Sequence, residues 1–97
     1  MLSKIPFSLE NIADEDLDRQ ILRIAIIAEF DAINLYEQLS SLTKDEKMKA
    51  IFLDIAREEN THVGEFLTLL LMNDEEQEDE LDEGKEEVEE LLEEDEE

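Results

Sequence analysis

Cysteine and tryptophan are absent from the 97 residues, and the chain holds one proline, two glycines and one histidine. Without cysteine there is no disulfide scaffold, no thiolate zinc site and no cysteine-ligated electron-transfer centre. So few turn formers leave little to build strands and tight hairpins with, and helix prevails by elimination. Positive charge is scarce as well: 8 basic residues face 31 acidic ones, for a formal net charge of −23. Such a surface repels phosphate backbones and anionic lipid, which argues against nucleic acid and membranes as partners. No apolar run approaches the roughly 20 residues that span a bilayer, and Met1 to Phe7 lacks the long apolar core of a signal peptide. The expected location is therefore cytoplasmic.

What is present is periodic. Residues 1–13 read as an N-terminal arm with the sole proline, Pro6, one helical turn, and Leu2, Ile5, Phe7, Leu9 and Ile12 available to pack back. Asp14 suits an N-cap, with Glu15 and Asp16 at the positive end of the dipole, and apolar positions recur from Leu17 to Leu39. This predicts a helix over about 15–41. Thr43-Lys44-Asp45-Glu46 has the capping-box pattern with Thr43 as cap, so a second helix is expected from Lys44 to about Met72, with Asn73 in the left-handed conformation after it. A connection this short forces antiparallel neighbours, so residues 14–73 form a helical hairpin. Residues 74–97 differ, with 17 acids against Lys85 alone, a net of −16. A block of like charge is expected to be disordered over 74–84. Val88, Leu91 and Leu92 keep helical spacing, which allows a short third helix from Lys85 to Glu94.

The residues that break the pattern carry the chemistry. Glu59 and His62 stand three apart on one helix face, among Phe52, Ile55, Ala56, Val63 and Phe66. Glu29 falls likewise among Ala25, Ile26, Ala32 and Ile33. An unpaired buried carboxylate costs several kcal/mol or neutralises itself. The hairpin also has apolar residues on more than one side, since Ile21, Leu22, Ile24, Ile26, Ile27 and Phe30 almost encircle the first helix. The simplest cover is a two-fold copy, giving an all-α four-helix bundle from two hairpins. Its core would hold four carboxylates and two imidazoles, which is untenable unless cations bind there. Two divalent metals neutralise the four carboxylates. The Glu plus Glu-x-x-His set matches bundle-core di-iron and di-manganese sites, and one histidine per chain supplies half of such a site. Dimerisation completes it.

Ala28-Glu29-Phe30-Asp31-Ala32-Ile33-Asn34-Leu35-Tyr36, followed by Glu58-Glu59-Asn60-Thr61-His62, resembles the encapsulated ferritins over roughly residues 15–72. The resemblance implies a ferroxidase centre at the interface of paired two-helix protomers, a homodimer assembling into an annular homodecamer, and action inside an encapsulin nanocompartment whose shell stores the mineral. It implies two irons per dimer held by Glu29, Glu59 and His62, with Ca2+, Mn2+ or Zn2+ able to take their place. It also implies Tyr36 near the metals and Asp31 as an acid that attracts incoming iron. Ala28 departs from the pattern, where a further acid is expected, and this bears on the route by which iron arrives. The chain ends Glu93-Glu94-Asp95-Glu96-Glu97 rather than in an apolar and basic docking peptide. It is therefore expected to be a piece of a longer chain or to reach the shell differently, for example as a domain fused to the shell protein.

Each element also has a plain reading. A lone Glu-x-x-His arises readily by chance, Glu58 and Glu65 are ordinary solvated helix acids, Tyr36 serves equally as an interface tyrosine, and Asp31 as a surface acid. The tail reads first as a solubilising segment. Two other functions fit the hairpin: a structural or adaptor protein whose buried acids bind a non-redox metal, and a rubrerythrin-like peroxidase. The peroxidase ordinarily brings a cysteine-ligated site, which this chain lacks.

Overall fold

The computed structural model describes residues 4–5 and 12–96. Three helices follow in order, α1 (Asp14–Leu42), α2 (Glu46–Asn73) and α3 (Glu75–Glu96), and there is no strand among the described residues. Most of the expected arm lies outside the described residues, including Leu2, Phe7 and Leu9 and any helical turn formed there. Of its other apolar residues, Ile5 is exposed and Ile12 half-buried.

α1 begins one residue earlier than its acids suggested. Asp14 is helical rather than capping, Ala13 precedes it with no side-chain cap, and the backbone N–H groups of Asp16 and Leu17 donate to the Ala13 carbonyl at 2.9 and 3.1 Å. Three acids in the first turn complement the helix dipole without a capping hydrogen bond. At the other end Thr43 is extended and its N–H donates to Leu39 O at 3.2 Å, closing α1. That commitment moves the start of α2 by two residues. Asp45, not Thr43, is the cap, and its Oδ1 accepts from the N–H groups of Lys47 at 2.8 Å and Met48 at 3.2 Å. Thr43 Oγ1 instead accepts from Asp45 N–H at 3.2 Å, bracing the three-residue connection.

The short connection makes α1 and α2 antiparallel neighbours, as the sequence required. Ser40, buried on α1, donates its hydroxyl to the Lys49 carbonyl on α2 at 3.3 Å and pins the loop end of the pair. Ile33, Ala56 and Leu70 are the only buried hydrophobic residues among those described, whereas fourteen large ones are exposed. A hairpin is too thin to enclose more.

Residues 74–84 are not disordered, and the third helix is not short. One helix runs from Glu75 to Glu96 straight through Gly84, whose place in a helix costs only about 1 kcal/mol relative to alanine, and glutamate is a good helix former. Asp74-Glu75-Glu76-Gln77 supplies the start signal: Asp74 Oδ1 accepts from Gln77 N–H at 3.1 Å. Asn73 does not adopt a left-handed conformation, since no described non-glycine residue has positive φ. It is the last residue of α2 and donates its side-chain amide to Leu69 O at 2.7 Å, satisfying a carbonyl of the final turn. α3 stands off the hairpin, and the molecule measures 50 × 45 × 19 Å. No helix among the described residues is long and apolar enough to cross a membrane.

The cap assignment is testable. Asp45→Ala should destabilise the hairpin by about 1 kcal/mol, a fall of about 4–8 °C in the midpoint for a domain of this size. Thr43→Ala should cost clearly less, because Thr43 holds no helix N-terminus. Thermal unfolding followed by circular dichroism on metal-free protein compares the two, and an equal loss would return the cap to Thr43.

Candidate metal centre

Helix geometry builds the site. A residue advances about 100° round an α-helix, so Glu59 and His62 lie within about 60° of each other on α2. Glu29 occupies the edge of the α1 face that meets α2, next to Ile33 and Ala25 in helical spacing. Antiparallel packing brings Glu29 level with Glu59 although thirty residues separate them in the chain. One ligand atom from each of Glu29, Glu59 and His62 falls within 4.8 Å of the other two. The cluster expected from the sequence forms within a single chain.

Its electrostatics are unfavourable as they stand. His62 Nδ1 lies 3.2 Å from Glu59 Oε2 and 3.4 Å from Glu29 Oε2. Nδ1 carries at most one proton, so it can donate to one of the two carboxylates at most. Glu29 Oε2 is then buried with no hydrogen-bond partner, the only such side-chain atom among the described residues. Both carboxylate side chains are 18% exposed while His62 is 45% exposed. The site is thus a niche, closed beneath by the hairpin and open on the His62 side. Two carboxylates and an imidazole around one buried, unpartnered oxygen form a donor set suited to a divalent cation. A cation would satisfy that oxygen and screen the two acids from each other.

The other expected residues fall into two groups. Tyr36, two turns beyond Glu29, stacks on Phe52, two turns before Glu59, with ring centroids 6.1 Å apart and planes 20° apart. The stack forms the next layer of the same seam, on the loop side of the cluster. The sequence reading placed Phe52 only as packing; its matching seven-residue offset was the signal for the pair. Asp31 does not join the cluster within one chain. Two residues past Glu29, it points about 200° away round α1 and is exposed. Ala28, Glu58 and Glu65 are exposed too, so the two glutamates behave as solvated helix acids.

Known proteins share this fold. The sequence profile of the rubrerythrin family matches residues 20–96. A ferritin-like-encapsulin shell fusion protein from Pyrococcus furiosus is 61% identical over 72 residues, 74% of this chain and 21% of the relative. The chain therefore spans about a fifth of that relative's length. The crystal structure of an encapsulated ferritin domain from Pyrococcus furiosus superposes with a TM-score of 0.81 at 50% identity, covering 94% of this chain and 95% of that one. Fold, length and sequence agree over nearly the whole of that domain, and the two acids and the histidine lie in the matched stretch. This chain belongs to the encapsulated ferritins, within the rubrerythrin family of ferritin-like proteins.

Proposed function

We propose that the chain is a ferroxidase which oxidises Fe(II) to Fe(III) at a pair of iron ions bound across a two-fold dimer interface, for storage inside an encapsulin compartment. The observation that carries this reading is the convergence of Glu29, Glu59 and His62 round a buried carboxylate oxygen without a partner. One chain offers three ligand residues, which is half of the carboxylate and histidine set of a ferritin-like di-iron site.

The open side supports the second copy. Ile51, Ile55, Phe66 and Leu69 share His62's stripe of α2 by helical spacing, and Ile51 and Leu69 are 59% and 47% exposed. A symmetry mate laid on this stripe covers those residues and brings a second cluster against the first. Phe30, Ile27 and Leu53 are also exposed, on other faces of the two helices, and leave room for the second contact that a ring of dimers requires. The shell association rests on the fused relative.

Iron is the substrate. In the proposed centre Glu29, Glu59 and His62 of each chain would hold the ions, Glu59 being the residue shared between them. Each Fe(II) gives up one electron, and the two electrons with two protons reduce one dioxygen to hydrogen peroxide, or one hydrogen peroxide to two waters. The protein fixes the spacing and the carboxylates balance the rising charge. Tyr36 lies one layer below, where its phenol borders the seam, and Asp31 is assigned to the approach of iron from outside. The alternative is a structural or adaptor hairpin that holds Ca2+ or Zn2+ inertly in the same niche. Anaerobic Fe(II) loading followed by air separates the two, since only the ferroxidase gives the transient absorption of an oxidised iron pair.

His62→Ala removes one ligand from each ion of the pair at once. Outer residues of metal sites already cost 10- to 100-fold when removed, so we expect Fe(II) oxidation to slow by more than about tenfold. Helix content should hold, because Phe52, Ile55, Val63 and Phe66 still pack. Stopped-flow absorbance at matched iron loading measures this, and a parental rate would move the chemistry elsewhere.

Assembly should depend on metal, because two clusters repel until cations enter. Sedimentation velocity on chelated protein should show a shift toward monomer that Fe(II) or a redox-inert divalent ion reverses. An unchanged distribution would detach the cluster from the interface.

A further inference from the structure

α2 and α3 are separated by one residue, Asp74, with φ −146° and ψ 89°. The surrounding Leu70-Leu71-Met72-Asn73-Asp74-Glu75-Glu76-Gln77 contains neither proline nor glycine. Nothing in the backbone chemistry forbids a helix from continuing through it. Asp74 is buried, its side chain 6% exposed, and its side-chain contacts favour the break. Its Oδ1 caps α3 through Gln77 N–H at 3.1 Å. Its Oδ2 lies 3.3 Å from the Arg23 guanidinium and 3.7 Å from that of Arg19, both on α1. Arg23 also donates to Gln77 Oε1 at 3.4 Å, and Arg19 is steadied by Asp16. Beyond this cluster α3 has no support: every residue from Glu78 to Glu94 is exposed, including Leu81, Val88, Leu91 and Leu92.

We propose that the α2–α3 joint is a two-state element, held bent by Asp74 with Arg19 and Arg23, and otherwise running straight as one helix over residues 46–96. The charge cluster acts here in place of a helix breaker. Losing it swings a strongly negative helix from its bent setting onto the axis of α2. The metal-ligand cluster stays still, since His62 lies more than three turns before the joint. This inference does not depend on the ferroxidase reading.

The chain has no cysteine, so spin labels go cleanly onto Arg57→Cys and Val88→Cys, both exposed. A straight helix between them measures about 46 Å, and a bent joint is shorter. Double electron–electron resonance on labelled chains diluted in unlabelled ones reads the two states. The parent should give one distance well short of 46 Å. Asp74→Ala should add a population at about 46 Å that forms the majority. Arg19→Ala with Arg23→Ala, which leaves the cap in place, should add the same population to a smaller extent. Divalent metal bound per chain should be unchanged in both. A parental distance in Asp74→Ala, or a broad distribution with no peak near 46 Å, would overturn the proposal. If Asp74→Ala does not fold, Asp74→Asn, which keeps an acceptor but loses the charge, decides it by the same two outcomes.

Discussion

Two like charges held side by side in a protein only two helices thick set the terms for everything else. Glu29 and Glu59 meet at the α1–α2 seam because helical spacing and a three-residue connection leave them nowhere else to go. The imidazole beside them has one proton to offer at Nδ1 and so partners one carboxylate at most. The folded chain therefore carries a deficit of positive charge at the place where burial makes it costly. A cation bound there would relieve that deficit, and the His62 side of the site is where it lies open.

The thinness matters as much as the charge. Three buried hydrophobic residues cannot account for the apolar content of α1 and α2, and part of the excess, Ile51 and Leu69, lies exposed on the stripe that carries His62. Packing and coordination thus call for the same remedy, a second chain. A thicker monomer would have satisfied the apolar demand internally and left a closed site. Under the proposed reading one chain carries three of the six side chains such a bundle-core site needs, and a second copy would supply the rest.

Much of this was legible in the sequence, for reasons that separate by length scale. The hairpin could be read because its apolar period is sustained over many turns. The cluster could be read because Glu29, Glu59 and His62 violate that period. Cap register could not: Thr43 and Asp45 both fit, and Thr43 is taken up by the end of α1. The third helix was obscured by composition, since the acid count spoke louder than the helix propensity of glutamate and the Asp74-x-x-Gln77 signal. The Tyr36 and Phe52 stack needed the antiparallel register before its two matching offsets meant anything. The Arg19, Arg23 and Asp74 cluster joins residues about fifty apart and has no local signature.

α3 has a property that belongs more to polymers than to folded surfaces. Its 22 residues span about 33 Å. Fifteen acids and one lysine on that length amount to a net charge about every 2.4 Å along the axis, close to the roughly 1.7 Å of duplex DNA. At that density a rod gathers a sheath of condensed counterions, and anything that docks on it must release them. The energetics of α3 then scale with the logarithm of salt concentration, as for a nucleic acid, and its effective charge in solution is well below the number written in its sequence.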